Sequence, residues 1–159
     1  MSLDRIDRKI LDLLQKDATI PVAEIGRKIG LSTTPCWRRI QKMEEDGVIL
    51  MRSAILNPKK INAGVNVFVS VRTSEHSNQW MNKFSKVIEE FSEVVEFYRM
   101  SGDVDYLLRV VVPDIEAFDA FYKKLISKIA LNDVSSSFAM SQIKYTTALP
   151  LEFIKIDEL

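Results

Sequence analysis

The chain of 159 residues is 47% hydrophobic and 28% charged, which is the composition of an ordinary globular protein. Its formal net charge is zero, yet residues 1–60 carry 12 basic and 8 acidic side chains, whereas residues 61–159 carry 10 and 14. No apolar run is long enough to span a membrane, and one cysteine excludes an internal disulfide, so we expect a cytoplasmic protein with no membrane partner.

Two short helices are predicted at the start of the chain. Asp4 can cap the first, in which apolar residues recur at helical spacing at Ile6, Ile10, Leu13 and Leu14. The second begins near Pro21, which is tolerated in a first helical turn, and ends at Gly30, a residue suited to a left-handed C-terminal position.

A third helix is predicted from the turn at Leu31 to about Asp46, with Gly47 ending it. Its apolar stripe consists of Cys36, Ile40 and Met43. We interpret Cys36 as a buried apolar residue rather than a redox sensor. Trp37 lies beside the stripe, and we expect it to pack against the protein rather than to contact a base.

The second and third helices, joined by a tight turn, predict a helix-turn-helix whose second helix enters the major groove of DNA. Opposite its apolar stripe, the third helix presents hydroxyl, amide and cationic side chains, which suit base edges and phosphates. The expected contacts with double-stranded DNA are Ser32, Thr33, Thr34, Pro35, Arg38, Arg39, Gln41 and Lys42. The alternative interpretation is the solvated basic face of a packing helix.

A strand from Val48 to Leu56 is predicted next, and Asn57-Pro58 ends it because proline disfavours helix just before it. The polar Lys59-Lys60 pair makes this the best candidate for a hinge. We therefore divide the chain into a helix-turn-helix domain (residues 1–50), a linking strand and hinge (51–62) and a second domain (63–159).

The second domain has the predicted order βαββαβ. Strands are expected over residues 65–71, 94–100, 105–112 and from about 136 to 148. The apolar face of its first helix is Trp80, Phe84, Val87, Ile88 and Phe91, and that of its second, which Asp114 caps, is Ile115, Phe118, Tyr122, Leu125, Ile126 and Ile129. This is the ferredoxin-like arrangement, with both helices on one face of an antiparallel sheet. Because the other face needs cover, we expect at least a homodimer.

A Gly-Asp connection, residues 101–106, joins the two middle strands. Glycine allows close approach of a ligand to the backbone, and the carboxylates of Asp103 and Asp105 could hold an α-ammonium group. Gly-Asp is equally good hairpin chemistry. The residues alone leave both interpretations open.

Three stretches carry a family resemblance: residues 4–11 (DRIDRKIL), 30–36 (GLSTTPC) and 47–49 (GVI). Together they resemble the DNA-binding domain of the Lrp/AsnC family of leucine-responsive and asparagine-responsive regulators, and the βαββαβ half resembles that family's effector domain. Pro21 departs from the pattern, since many members place a serine helix cap there. The resemblance implies an α+β protein with an N-terminal three-helix winged helix-turn-helix domain, a hinge strand and a C-terminal ferredoxin-like domain for effector binding and oligomerisation.

In that family the effector is an amino acid bound between dimers, which implies tetramers or octamers of the chain. Carried over by position, the resemblance implicates two sets of residues: Ser101, Gly102, Asp103 and Asp105 in the Gly-Asp connection, and Ser136, Ser137, Phe138 and Ala139 in the last strand. The segments 33–37, 136–140 and 142–147 resemble a cysteine-responsive branch, so cysteine is the first expectation for the effector, with leucine, methionine and other small amino acids open.

Two alternatives belong to other classes. A nucleoid-style architectural protein would keep the DNA-binding helix and use the Gly-Asp connection for the turn alone. An enzyme would need an acid/base or nucleophilic pair, and the only histidine, His76, has no evident catalytic or metal-binding partner. We therefore expect neither an enzyme nor a cofactor or metal.

Overall fold

Three helices form the first part of the chain: α1 (Arg5–Lys16), α2 (Val22–Ile29) and α3 (Thr33–Glu45). Asp4 begins α1 as predicted, because its carboxylate accepts hydrogen bonds from the amides of Ile6 and Asp7 while Asp7 bonds back to the Asp4 amide. Gly30 ends α2 in the left-handed conformation at φ 76°. This computed structural model describes residues 3–156, so the predicted domain limits at residues 1 and 159 lie outside the described residues.

The core of this helical unit lies where the three helices meet. Ile10 of α1, Ile25 of α2 and the predicted α3 stripe of Cys36, Ile40 and Met43 are each at most 1% exposed. Burial of the α3 stripe fixes which side of α3 faces outward. It also raises the pKa of the Cys36 thiol, which disfavours the reactive thiolate.

The C-terminal segment packs against these helices, and the helical unit comprises the described residues up to 55 and from 144 onward. The Gln15 side chain on α1 donates to the Leu149 carbonyl at 3.1 Å and accepts from the Leu149 amide at 2.7 Å. Leu151 and Ile154 then pack on the helical core. The predicted second domain ran to residue 159, whereas the described residues from 144 onward group with the helices, on whose core Leu151 and Ile154 are partly buried.

The predicted strand from Val48 to Leu56 is not formed. Residues 50–57 have no regular secondary structure, and Leu50, Met51 and Ile55 are 89%, 75% and 65% exposed. A strand needs a neighbouring strand to accept its hydrogen bonds, and no described residue of this chain supplies one. In place of the predicted wing and hinge strand, residues 50–57 form an extended linker, and a short 3-10 helix (Pro58–Ile61) follows it.

The second unit is a four-stranded antiparallel sheet with the predicted βαββαβ order. Its strands are β1 (Val65–Arg72), β2 (Val94–Arg99), β3 (Tyr106–Val112) and β4 (Asp133–Phe138), arranged β2-β3-β1-β4. The helices α4 (Asn78–Glu89) and α5 (Ile115–Lys128) pack on one face. That face carries alternate side chains of β1 and β3, all nearly fully buried: Val67, Val69, Val71, Tyr106, Leu108, Val110 and Val112.

Two details of this unit differ from the sequence prediction. The last strand begins earlier and is shorter than residues 136–148, because only residues 133–138 find a partner, in β1. In α5, Phe121 is buried whereas Ile115 and Ile126 are 69% and 45% exposed. Both faces of α5 have apolar residues at helical spacing, so the sheet, not the spacing, selects the buried face.

The described residues 3–156 leave the second sheet face partly exposed, as predicted. Phe68 on β1 is 38% exposed and Tyr98 on β2 is 50% exposed. Between them Arg109 donates hydrogen bonds to Glu96 and Asn66. The bond from Arg109 lowers the pKa of Glu96, although the partial burial of Glu96 acts to raise it. Within residues 3–156 no helix is long and apolar enough to cross a membrane.

Candidate functional site

The outward side of α3 is the first candidate surface. Thr33, Thr34, Pro35, Arg38 and Lys42 are all exposed, whereas the opposite side of the helix is buried. Among the ion pairs of residues 3–156, none involves Arg38 or Lys42. The side chain of Ser32, which precedes the helix, makes no capping hydrogen bond to it. Cations and uncapped amides thus share one accessible surface, a combination suited to phosphate oxygens.

Two of the predicted DNA-binding residues have partners inside the protein. Arg39 is half-buried and its Nη1 atom contacts Asp4 and Asp7 at 2.7 and 2.8 Å. Gln41 is also half-buried and donates to Glu44 at 2.9 Å. Sequence periodicity placed Gln41 in one exposed row with Thr34 and Arg38, and Arg39 beside that row, but it does not reveal partners such as Asp4, 35 positions away. Arg39 is therefore not part of the open cationic surface of α3.

Trp37 is more exposed than the sequence predicted. We expected its ring to be packed, but it is 50% exposed on α3, next to Arg38. An aromatic side chain at this place adds an apolar surface to the cationic one. Such surfaces can contact thymine methyl groups or sugars in a groove.

Gly26 is a positioning residue that the sequence analysis missed. It lies in α2, and a Cβ atom built on it would be 2.5 Å from the carbonyl oxygen of Leu31, in the turn before α3. Only glycine allows this approach of α2 to the turn. A glycine inside an otherwise helical pattern is the signal that could have identified it.

The predicted Gly-Asp connection is the second candidate site; it forms a loop of residues 101–105, the Gly-Asp loop, because Tyr106 already belongs to β3. Ser101, Gly102 and Asp103 are exposed, and Gly102 has a φ of 117°, a conformation that favours glycine. Asp105 is half-buried, and its Oδ2 atom accepts a hydrogen bond of 2.8 Å from the Thr73 amide. Its other oxygen, Oδ1, lies 3.9 Å from Nδ1 of His76. One carboxylate oxygen of Asp105 thus has a structural task, and the other faces a second polar group.

Arg72 holds this loop beside the start of β4. Its Nε atom donates to the Asp103 carbonyl at 2.6 Å, and its Nη1 atom contacts Asp133 at 3.2 Å. Neither Arg72 nor Asp133 was a predicted site residue. A charged pair at the ends of two neighbouring strands is visible only once the register pairs Arg72 with Asp133.

The predicted effector residues of β4 do not meet the Gly-Asp loop within one chain. Ser136, Ser137 and Phe138 pair with Val69, Phe68 and Val67, so they lie three to five residues from the Asp133 end. At about 3.3 Å per residue this is roughly 10–16 Å. Ser136 and Ser137 point to opposite sheet faces. Phe138 contacts Phe118 edge-on at 5.2 Å, and the Ala139 amide bonds to the Asn66 carbonyl.

Two family models match most of the chain. The AsnC-type helix-turn-helix domain matches residues 3–44, and the Lrp/AsnC ligand binding domain matches residues 66–149. The first match lies within the helical unit, and the second covers the sheet unit from residue 66 together with the first residues of the C-terminal segment.

Three relatives agree with these matches. The crystal structure of an AsnC family transcriptional regulator from Agrobacterium tumefaciens is 67% identical, covers 96% of this chain and 100% of its own, and superposes with a TM-score of 0.93. The transcriptional regulator NMB0573 from Neisseria meningitidis, in complex with L-Met, is 32% identical over 95% of this chain and 98% of its own, with a TM-score of 0.89. The glutamate uptake regulatory protein of Zymomonas mobilis is 51% identical over 149 residues, 94% of this chain and 91% of the relative.

These relatives are named as regulators and not as enzymes, which confirms the expectation of a regulator rather than an enzyme. None of the three names mentions cysteine, so the cysteine-responsive branch is not established. The chain belongs to the Lrp/AsnC family of DNA-binding transcriptional regulators.

Proposed function

We propose that α3 binds the major groove of double-stranded DNA through its outward side, with Arg38 and Lys42 on phosphates or guanine edges and Thr33 and Thr34 on bases or backbone. The observation that carries this proposal is the one-sided burial of α3, which leaves Arg38 and Lys42 on the exposed side with no ion pair to any residue of the range 3–156. Ser32 and Pro35 lie at the start of the helix, where free amides favour a phosphate.

Arg38→Ala tests this role of α3. We expect the variant to keep the helical content and melting temperature of the wild type, because Arg38 is exposed and has no ion pair among the described residues. Its affinity for a duplex selected by the wild-type protein from a random library should fall about 10-fold or more, since a bidentate base contact contributes about 1–3 kcal/mol. Lys86→Ala, an exposed lysine on α4, is the control. Unchanged binding by Arg38→Ala would contradict the proposal.

We further propose that a small amino acid modulates this DNA binding from the Gly-Asp loop. The Oδ1 oxygen of Asp105, which lies 3.9 Å from His76 Nδ1 and accepts no hydrogen bond from residues 3–156, suits an α-ammonium group, and the loop backbone at Gly102 allows close approach. The methionine complex of the Neisseria relative supports an amino acid as the ligand class. Cysteine stays our first expectation, beside methionine, glutamate and leucine.

We also propose that this site is completed between subunits. Because the loop and residues Ser136–Ala139 are separated along the ladder of a single chain, one ligand can touch both sets only if a second subunit brings them together. The exposed sheet face, with Phe68 and Tyr98 beside the Arg109–Glu96 pair, is our proposed dimer interface. Tetramers or octamers in the cytoplasm would follow from joining such dimers.

A thermal-shift screen of all amino acids tests the effector proposal. A ligand at about 100 times its dissociation constant stabilises a protein by about 2.7 kcal/mol, which is readily visible. Asp105→Ala should abolish that shift for the active amino acid while DNA affinity without ligand stays within about 2-fold of the wild type. A full shift in Asp105→Ala would contradict the assignment of the loop.

A second candidate function, an architectural DNA-binding protein without an effector, is favoured by one observation. The Asp105 carboxylate already has a structural partner in the Thr73 amide, so the Gly-Asp loop needs no ligand to explain its acidic residue. In that case no amino acid shifts the melting temperature, and binding is weakly sequence-specific with a steep salt dependence.

A further inference from the structure

The contacts of Arg39 connect α3 to the beginning of α1. Its Nη1 atom is 2.7 Å from Oδ2 of Asp4 and 2.8 Å from Oδ1 of Asp7. The Asp4 side chain is 49% exposed, but that of Asp7 is only 3% exposed. One guanidinium group thus joins an accessible carboxylate and a buried one.

Asp7 needs this partner. It is the one charged residue in the buried set among residues 3–156, and an unpaired buried carboxylate is strongly destabilising. Its second oxygen accepts a hydrogen bond from the Asp4 amide at 3.0 Å, so the α1 cap and Arg39 together satisfy the carboxylate. The hydrogen bond from Arg39 to Asp7 raises the pKa of Arg39, despite the opposing effect of its partial burial. The positive charge of Arg39 is therefore paired with carboxylates of the protein itself.

The ion pair also restrains α3 about its own axis. Arg39 lies between Cys36 and Ile40, which are buried, and Arg38, which is exposed. Apolar contacts permit small rotations of a helix, whereas a guanidinium group fixed on two carboxylates has a defined direction. Because Arg38 and Arg39 differ by about 100° around the helix, the direction of one sets that of the other.

We propose that Arg39 is a positioning residue for DNA recognition: through Asp4 and Asp7 it sets the rotation of α3 that aims Arg38 and Lys42 at the duplex, and it does not bind phosphate itself. This inference rests on the proposed role of α3. The inference assigns different roles to two adjacent arginines: Arg38 contacts DNA, whereas Arg39 contacts Asp4 and Asp7 inside the protein.

The salt dependence of DNA binding distinguishes the two tasks. Every phosphate contact that is lost lowers the slope of log affinity against log salt by about one. A positioning residue weakens binding without changing the number of phosphates neutralised. Lys42→Gln is the matched control, because it removes one positive charge from the exposed side of the same helix.

The experiment compares Arg39→Gln, Asp7→Asn, the double variant and Lys42→Gln by fluorescence anisotropy from 50 to about 300 mM KCl, on a duplex selected by the wild-type protein. Circular dichroism checks that each variant is folded; if Arg39→Gln unfolds, the double variant, which leaves no buried carboxylate unpaired, supplies the slope in the absence of the Arg39 charge. We expect both single variants at Asp7 and Arg39 to lose about 10-fold in affinity with the wild-type slope. The double variant should lose no more than either single one, because a Gln–Asn hydrogen bond replaces the ion pair.

Three results overturn the inference: a slope that falls in Arg39→Gln as it does in Lys42→Gln, wild-type affinity in Asp7→Asn, or a double variant whose loss is the product of the single losses. A different result would show that the proposed DNA contact of α3 is itself wrong. If Lys42→Gln and Arg38→Ala both bind as the wild type does, α3 is not the DNA-contacting helix, whatever Arg39 does.

Discussion

Replacing Gly26 by alanine should destabilise the helix-turn-helix, although alanine is the better helix former. The added Cβ would lie 2.5 Å from the Leu31 carbonyl oxygen, and because that oxygen belongs to the backbone it cannot rotate away. Overpacking of this kind costs about 1–3 kcal/mol, and the gain in helix propensity offsets about 1 kcal/mol of it. Because the contact is with the backbone, we place the overpacking cost in the upper part of that range, at about 2–3 kcal/mol, and so expect a net loss of about 1–2 kcal/mol, or roughly 2–8 °C in melting temperature.

Thermal unfolding followed by circular dichroism measures this loss, and anisotropy measures its effect on DNA binding. Because Leu31 and Ser32 lead directly into α3, the displaced turn should also weaken DNA affinity. Gly64→Ala is the matched control, since its Cβ would meet nothing closer than a Lys59 side-chain carbon at 3.9 Å. If Gly26→Ala melts at or above the wild-type temperature with full DNA affinity, the close approach of α2 to the turn does not constrain the domain.

Two further predictions concern the helical unit. Leu151→Asp should lower the melting temperature by several degrees, because it places a charge where the C-terminal segment packs on the helical core. Glu152→Gln, at an exposed neighbouring position, should leave the melting temperature unchanged. Equal melting of the two variants would show that the segment does not stabilise the helices. Burial raises the pKa of Asp4, but the hydrogen bonds from the Asp7 amide, Arg39 and the Ile6 amide outweigh burial and lower that pKa overall. Ionised Asp4 therefore stabilises the fold above about pH 4, the pKa of the unfolded state. This stabilisation is lost as the pH falls through the lower pKa of the folded state. The melting-temperature difference between wild type and Asp4→Asn should therefore shrink below about pH 4, and a difference that grows on acidification would contradict this sign.

Local features of the sequence were predictable because their causes are local. The Asp4 cap, the left-handed Gly30 and the buried stripe of Cys36, Ile40 and Met43 depend on residues no more than one or two turns apart. The alternating valines of β1 likewise determine their own buried face. With the similar patterns of the later helices and strands, they were sufficient to predict the three N-terminal helices and the βαββαβ order of the sheet unit.

Features that depend on distant partners were not predictable. The extended segment after Val48 has strand-like residues, but a strand forms only where a neighbour accepts its hydrogen bonds. Phe121 and Ile126 both have helical spacing in α5, and only the sheet decides which is buried. Arg39 and Arg38 look alike in sequence, and the carboxylate of Asp7, 32 positions away, separates their roles.

The central claim is that the start of α3 lies in a groove of DNA, and directed cleavage tests it most directly. Thr34→Cys would carry an iron chelate that cuts DNA within reach, and the native Cys36 is fully buried and so is not labelled. Lys86→Cys on α4, an exposed position of the sheet unit, is the control. We predict cuts confined to a few adjacent nucleotides from position 34 and none from position 86; equal cutting from both, or cutting only from position 86, would contradict the account.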